Sequence, residues 1–136
     1  MTCTIVSMNI IADTNIFLTV VLNEPEKPRI IEHSSNCTLL SPEILPYEIG
    51  NALSAIVKRK QLTQAEALEA LGLVQSIPVR LVKPDLNKSL ELALKFNIYA
   101  YDAYFLQCAL SLNCPLLTLD KKMQDVAKQL NIVLME

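Results

Sequence analysis

The sequence predicts an α/β fold in which helices cover a parallel β-sheet. Short apolar runs alternate with longer stretches whose apolar residues recur at helical spacing, which is typical of this class. Hydrophobic residues make up 51% of the 136 residues, enough for a substantial core, so we expect residues 1–136 to form one domain. Glycine and proline number only two and seven, and this composition excludes fibrous and disordered classes.

The elements follow from the spacing of apolar residues along the chain. The predicted strands are residues 9–12, 37–40, 79–82, 115–119 and 132–135. The predicted helices are residues 14–22, 26–33, 42–60, 63–76, 85–96, 102–112 and 121–130. Residues 1–7 precede a second methionine, Met8, and the sequence leaves open whether they are an N-terminal extension or lie before the natural start.

Several predicted helices have a recognisable start. Ser41 and Pro42 are predicted to be a cap and the first helical residue, and Thr63 with Glu66 predicts a capping box. Aspartates stand at three further positions where an N-cap is expected: Asp85, Asp102 and Asp120.

Histidine and cysteine offer little to catalysis. The one histidine is His33, and the four cysteines contain no C-x-x-C pair, so no zinc site of ordinary spacing can be written. Ser–His and Cys–His mechanisms are therefore disfavoured, and two glycines cannot build a phosphate-binding loop. The apolar runs are too short to span a bilayer and no targeting leader is found, so we expect a cytoplasmic protein.

Four carboxylates remain as candidates, and three of them have an ordinary explanation. An N-cap aspartate stabilises a helix by about 1 kcal/mol without any further role, which is sufficient for Asp13, Asp102 and Asp120. Glu48 is different, because it lies within the apolar arc of its predicted helix, between Ile44 and Ala52. A carboxylate there requires a partner, which could be a basic side chain, a set of backbone amides or a metal ion, unless it lies at the edge of the arc and reaches water.

The predicted topology links these acids. Asp13 and Asp120 both follow strands, and ligands of open parallel sheets lie beyond the carboxyl ends of the strands. If the two strands are neighbours, their carboxylates repel one another unless a cation intervenes. Converging carboxylates without histidine or thiolate describe a site for a hard ion, Mg²⁺ or Mn²⁺.

Four motifs carry a resemblance to a known family: IADTNIF around Asp13, PYEIGNAL around Glu48, YDAYFLQCA around Asp102 and LLTLDKKM around Asp120. In order and spacing they resemble the PIN-domain nucleases, most of all the VapC-type toxins of toxin-antitoxin pairs, from Met8 onward. The resemblance implies a three-layer α/β/α sandwich with a five-stranded parallel sheet. It implies catalytic, metal-binding acids at Asp13, Glu48, Asp102 and Asp120, supported by Thr14, Asn15 and Thr118. Many relatives carry a basic residue before the fourth acid, where this chain has Leu119.

The resulting hypothesis is a Mg²⁺- or Mn²⁺-dependent endoribonuclease, the toxin of a type II toxin-antitoxin pair. The ions would activate water and stabilise charge on the attacked phosphate. The resemblance also implies an RNA substrate, a homodimer and a small antitoxin protein that blocks the site. The high apolar fraction independently indicates a hydrophobic partner surface, and the sequence does not exclude DNA as a substrate.

The basic residues are the candidates for phosphate contacts. Net charge is −2, but without the four site acids ten acidic residues face twelve Lys and Arg. The candidates are Lys58, Arg59, Lys60, Lys121 and Lys122. Cations at a helix C-terminus explain the first three equally well, and Asp125 is expected to be an exposed helix residue.

Other classes fit less well. A phosphoaspartate enzyme requires a second aspartate two positions after Asp13, where this chain has Asn15, and the paired acids of a response receiver are absent from the sequence. The stronger alternative is a catalytically silent protein of the same fold that serves as an RNA-binding or protein-interaction module.

Overall fold

The structure, a computed structural model, describes residues 7–135 and is α/β. Its strands are β1 (Met8–Ala12), β2 (Cys37–Pro42), β3 (Arg80–Val82) and β4 (Leu116–Leu117). Its helices are α1 (Thr14–Val21), α2 (Lys27–Ser34), α3 (Leu45–Lys58), α4 (Gln64–Ser76), α5 (Leu86–Phe96), α6 (Ala100–Leu112) and α7 (Lys121–Gln129). Within the described part of the chain, none of these helices combines the length and the apolar character needed to cross a membrane.

The sheet is parallel, with the strand order β3-β2-β1-β4. The predicted fifth strand is wrong, because residues 132–135 make only one bridge, between Leu134 and Leu116. β4 is two residues long and therefore offers little backbone to pair with. Leu116 supplies both bonds, its N–H donating to the Val133 carbonyl at 2.8 Å and its carbonyl accepting from Met135 N at 2.9 Å.

Helices cover both faces of the sheet, so the predicted sandwich is confirmed. Side chains alternate along β1: Ile10 packs with α1, α3 and α4, whereas Ile11 packs with α6 and α7. Both isoleucines are completely buried, which is worth about 1.5–3 kcal/mol for each side chain. The central strand is thus fixed by packing on both sides, and its carboxyl end is held in place with it.

Two predicted helix starts are wrong, and both errors matter for the site. Ser41 and Pro42 do not open α3; they extend β2, because they pair with Leu81 and Val82 of β3. α3 begins three residues later, at Leu45. Asp102 is not an N-cap either, and lies in the first turn of α6, whose N-cap is Tyr99.

The other predicted caps are present. Thr63 and Glu66 form the capping box of α4, and aspartates accept backbone N–H bonds at the starts of α5 and α7. Asparagine ends most helices of this glycine-poor chain, because it tolerates the left-handed backbone that a helix end requires. Positive φ angles occur at Asn23, Asn36, Asn97, Asn113 and Asn131, and also at Lys60.

The predicted N-terminal extension, residues 1–7, lies almost wholly outside the described residues. Of that segment only Ser7 is described, and its hydroxyl is 2.7 Å from the Thr38 hydroxyl.

Candidate functional site

A pocket of about 280 Å³ lies at the carboxyl ends of β1 and β4 and is lined by all four predicted acids. β1 and β4 are neighbours, with Ala12 paired to Leu117, so Asp13 and Asp120 follow adjacent strands. Glu48 reaches the pocket from α3 and Asp102 from α6. We name this cavity, with its four carboxylates, the acidic pocket.

Asp13 is the most buried of the four acids, with 4% of its surface exposed. It caps α1, and its Oδ1 accepts from Ile16 N at 3.2 Å. Its Oδ2 accepts a hydrogen bond from the Thr118 hydroxyl. The pKa of Asp13 is raised to about 6, mainly by burial and to a smaller extent by the charges of Asp120 and Asp102, while the two hydrogen bonds lower it.

Thr118 lies behind the acidic pocket and joins two of its acids. While its hydroxyl donates to Asp13, it also accepts from Asp120 N at 3.1 Å. Asp120 in turn caps α7, with Oδ1 accepting from Met123 N at 3.0 Å. Asp13 and Asp120 are therefore held by backbone amides and by one shared hydroxyl.

Glu48 is half-buried and finds its partner in α1. The Thr14 hydroxyl donates to Oε1 of Glu48 at 2.9 Å, and Leu45 and Ile49 on the same helix are buried in the core. Burial raises the pKa of Glu48, the Thr14 hydrogen bond lowers it, and the charge of Asp102 raises it. The hydrogen-bond partner of this carboxylate is thus a hydroxyl, which is none of the three kinds of partner expected from the sequence.

Helix capping, the ordinary explanation that the sequence allowed for Asp102, does not apply in the structure. Asp102 caps no helix, and it is half-buried on the wall of the acidic pocket. Burial raises the pKa of Asp102, and so does the charge of Asp120. The position of this carboxylate is thus not accounted for by helix capping.

No cationic side chain is among the groups that shift the pKa values of Asp13, Glu48 and Asp102. The charged groups that act on them are other carboxylates of the acidic pocket. The all-oxygen donor set suits a hard divalent cation. Within residues 7–135, however, no three acidic, histidine or cysteine side chains are close enough to hold one ion as they stand. Like charges favour such a separation, and three of these acids could hold one ion only after their side chains had rotated.

The predicted polar and basic residues are distributed unevenly. Thr14 and Asn15 line the acidic pocket. Lys58, Arg59 and Lys60 are exposed at the opposite end of α3, where Lys58 is about 15 Å along the helix from Glu48. In α7, Lys122 and Asp125 are exposed. The other predicted cation, Lys121, lines a separate polar pocket that it shares with Arg29, His33 and Thr118.

Sequence reasoning missed the three lining residues of the acidic pocket that carry a hydroxyl or an amide besides Thr14 and Asn15, namely Tyr47, Tyr101 and Asn51. A signal for the tyrosines was present, because each immediately precedes a site acid, in the pairs Tyr47-Glu48 and Tyr101-Asp102. Asn51 lies one helical turn after Glu48, so it shares a face of α3 with that acid. Arg29 and His33 lie beside Lys121 in the separate polar pocket, although they are distant from it in sequence.

A family model described as the PIN domain matches residues 10–129. Comparison with curated proteins gives no significant match.

Solved structures share the fold. The crystal structure of PAE2754 from Pyrobaculum aerophilum matches with a TM-score of 0.68 and 22% identity, over 88% of this chain and 79% of that one. VapBC2 from Rickettsia felis, bound to a DNA fragment from their promoter, matches with a TM-score of 0.67 and 18% identity, over 93% and 97%. FitAcB from Neisseria gonorrhoeae matches with a TM-score of 0.59 and 17% identity, over 93% and 96%.

Proposed function

Because the chain belongs to the PIN-domain family, we propose that it is a single-domain, cytoplasmic endoribonuclease that hydrolyses RNA phosphodiester bonds in the acidic pocket. PIN domains are generally nucleases and typically use divalent metals. The observation that carries the proposal is the gathering of four carboxylates, three of them with raised pKa values, around one pocket at the carboxyl ends of neighbouring strands.

The residues that would hold Mg²⁺ or Mn²⁺ are Asp13, Glu48, Asp102 and Asp120. When bound, the metal supplies positive charge to the phosphate and lowers the pKa of water. The chain keeps the carboxylates available for this role through neutral hydrogen-bond donors. Thr118 and Ile16 N hold Asp13, Met123 N holds Asp120, and Thr14 fixes one oxygen of Glu48.

The second oxygen of Glu48 is available to orient the attacking water, because the Thr14 hydrogen bond engages only Oε1. Asn15 lines the same pocket with a neutral side chain that can donate to a phosphate oxygen without repelling it. Lys121 and Lys122 follow Asp120 directly and are the candidates for contacts to neighbouring phosphates. The more distant Lys58, Arg59 and Lys60 would contact only a longer RNA.

We propose that the chain is biologically the toxin of a type II toxin-antitoxin pair. Two structural neighbours are the complexes VapBC2 and FitAcB, and the partner implied for this chain is a small antitoxin protein that covers the acidic pocket. Expression of the chain alone should then arrest growth, and co-expression with the antitoxin should relieve the arrest. Equal growth with active protein and with an Asp102→Asn variant would contradict this role.

The homodimer has a candidate surface on α5. Leu86, Leu90 and Leu94 recur every four residues and are all exposed, so they form one apolar stripe along the helix. We expect Leu90→Lys to convert a dimer to a monomer in sedimentation experiments. Leu68→Lys, the same change at an exposed leucine of α4, is the matched control and should leave the dimer intact. A monomeric native protein at micromolar concentration would rule the dimer out.

A catalytically silent RNA-binding or protein-interaction module is the second candidate. It is favoured by one observation, the spacing of the carboxylates, since no three acidic side chains within residues 7–135 stand at ligand distance from one ion. Such a module would bind RNA or protein with no dependence on divalent metal.

Cleavage of a mixed panel of structured and single-stranded RNAs, with single-stranded DNA included, decides between the two. The reaction is run with Mn²⁺, Mg²⁺ or EDTA, and with the Asp102→Asn and Asp85→Asn variants in parallel. We expect cleavage of RNA that requires metal, disappears in Asp102→Asn and persists in Asp85→Asn, whose carboxylate lies outside the acidic pocket. Binding of RNA without cleavage under every condition would favour the silent module.

A further inference from the structure

The tyrosines are concentrated around the acidic pocket. The chain has four, Tyr47, Tyr99, Tyr101 and Tyr104. Tyr47 and Tyr101 line the acidic pocket, while Tyr47 and Tyr104 line a second, more apolar pocket of about 700 Å³. Because Tyr47 and Ile44 line both cavities, the two pockets adjoin. We name Tyr47, Tyr101 and Tyr104 the tyrosine rim.

Two rings of the rim, those of Tyr47 and Tyr101, are exposed to solvent. Tyr47 is 75% exposed and Tyr101 is 54% exposed, so neither ring serves mainly to fill the core. Tyr101 and Tyr104 lie one turn apart on α6, with ring centroids 6.1 Å apart and planes inclined at 74°. This edge-to-face contact holds the two rings against each other while leaving aromatic surface open.

We propose that the tyrosine rim stacks on the unpaired bases next to a scissile phosphate in the acidic pocket, so that Tyr47 and Tyr101 are positioning residues for the RNA. The inference rests on the proposed function for the position of the phosphate. Aromatic side chains bind single strands by stacking on bases, whereas the faces of paired bases are covered by their neighbours in a duplex.

The second pocket fits this occupant better than it fits a further phosphate. Its wall is largely apolar, with Ile44, Pro46 and Leu81, and it carries one cation, Lys83, and one acid, Glu43. Such a lining suits the flat, uncharged face of a base, and Lys83 can pair with a phosphate at its edge. The first leucine of the α5 stripe, Leu86, also lines this pocket, so contact between two copies is the competing use of the surface.

The chain offers a direct reporter for stacking. It has no tryptophan, so its intrinsic fluorescence comes from the four tyrosines. Tyr99, 82% exposed at the N-cap of α6, is not among the residues that line either pocket. In a Tyr99→Phe variant, the tyrosine emission therefore comes from the rim alone. Adding Asp102→Asn to this variant prevents cleavage of the RNA during the titration.

The experiment combines that titration with cleavage kinetics. We expect a short single-stranded RNA in Mg²⁺ to quench the emission, after correction for absorption, and a duplex of the same sequence to quench it much less. In the active protein, Tyr47→Leu and Tyr101→Leu should each raise KM for single-stranded RNA about tenfold, with little change in kcat. Tyr47→Phe and Tyr101→Phe keep the ring and should restore KM, and Tyr99→Leu is the matched control and should not change it.

Two results would overturn the inference. One is an unchanged KM in the leucine variants of a cleaving enzyme, which would leave the nuclease proposal standing. The other is a change in oligomeric state in those variants, which would assign the rim to contact between copies or to a protein partner. Failure of the nuclease proposal is distinguishable, because it would abolish cleavage in every variant while quenching by single strands persisted.

Discussion

Two aspartates at helix starts differ in almost everything except their capping hydrogen bond. Asp13 caps α1 and accepts from Ile16 N at 3.2 Å, and Asp85 caps α5 and accepts from Lys88 N at 3.0 Å. Asp85 is exposed to solvent, whereas Asp13 is buried in the wall of the acidic pocket. The two aspartates therefore make the same capping hydrogen bond, one in a buried and one in an exposed position.

The comparison teaches that capping neither identifies nor excludes a functional acid. A cap requires one carboxylate oxygen and no burial, so a structural aspartate has no reason to lie where its charge is costly. The pKa of Asp13 is raised to about 6 by burial first and then by Asp120 and Asp102, and this is an energetic cost that the cap does not require. Perturbed carboxylates in a pocket are a mark of functional sites.

The largest expected difference between the two caps is in activity. Asp13→Asn keeps an N-cap oxygen but removes the charge, and we expect RNA cleavage to fall by at least about 100-fold because metal binding is lost. Asp85→Asn makes the same chemical change outside the acidic pocket and should leave the rate within about twofold of that of the native protein. Rates are compared on a single RNA in Mn²⁺, with circular dichroism as the control for folding; equal losses in both variants would contradict the distinction.

Stability should change in the opposite direction to activity. The folded pKa of Asp13, about 6, lies above the ordinary value of 3.8, so the folded state binds more protons between about pH 4 and pH 6. The contribution of Asp13 to the free energy of unfolding is therefore most favourable below about pH 4, and it is lost as pH rises through 6. At pH 7 the penalty is about 3 kcal/mol without metal.

Asp13→Asn removes this penalty, so we expect the free energy of unfolding at pH 7 to rise by about 3 kcal/mol in EDTA. Its dependence on pH between 4 and 6 should become weaker. Urea unfolding at several pH values measures both quantities, and Asp85→Asn should retain the native pH dependence. A less stable Asp13→Asn protein with an unchanged pH profile would mean that the Asp13 charge is already compensated.

The shared hydroxyl behind the pocket provides a third test. Thr118→Val removes the donor to Asp13 and the acceptor for Asp120 N, and both groups are then left without this partner. We expect a loss of about 1–3 kcal/mol in the free energy of unfolding at pH 7. The loss should be smaller at pH 4, where the lost hydrogen bond is one to a neutral carboxyl group and not to a carboxylate. Thr38→Val, at an exposed threonine, is the control and should cost much less.

The smallest effect is expected at the exposed cap. Asp85→Ala removes the acceptor for Lys88 N and should lower the free energy of unfolding by about 1 kcal/mol. Cleavage at a temperature where the variant is fully folded should not change. A loss of activity in the folded variant would show that α5 contributes to the site beyond its packing against α6.

The order of elements could be predicted from the sequence because apolar spacing is a local signal. The spacing placed β1 and α1 within one residue of their observed bounds, and Thr63 with Glu66 predicted the capping box that α4 has. What failed depends on partners distant in sequence. β2 continues through Pro42 because β3 lies beside it, and the segment 132–135 makes only one bridge because β4 is short.

The same division holds for the site. The four acids that line the acidic pocket were predicted as candidates from their motifs, and Glu48 was expected to need a partner because it lies in an apolar arc. That the partner is Thr14, 34 residues earlier, follows only from the packing of α3 against α1. The tyrosine rim was not predicted, because an exposed aromatic residue has no periodicity of its own and its meaning depends on the pocket beside it.

Calorimetric titration of Mn²⁺ into the protein at pH 7 tests the central claim, that the carboxylates of the acidic pocket form a divalent-cation site. The native protein and the Asp13→Asn and Asp85→Asn variants are compared at equal ionic strength. We predict that the native protein and Asp85→Asn bind Mn²⁺ with the same affinity, and that Asp13→Asn binds at least about tenfold more weakly. Equal binding by all three proteins, or no binding by the folded native protein, would contradict the account.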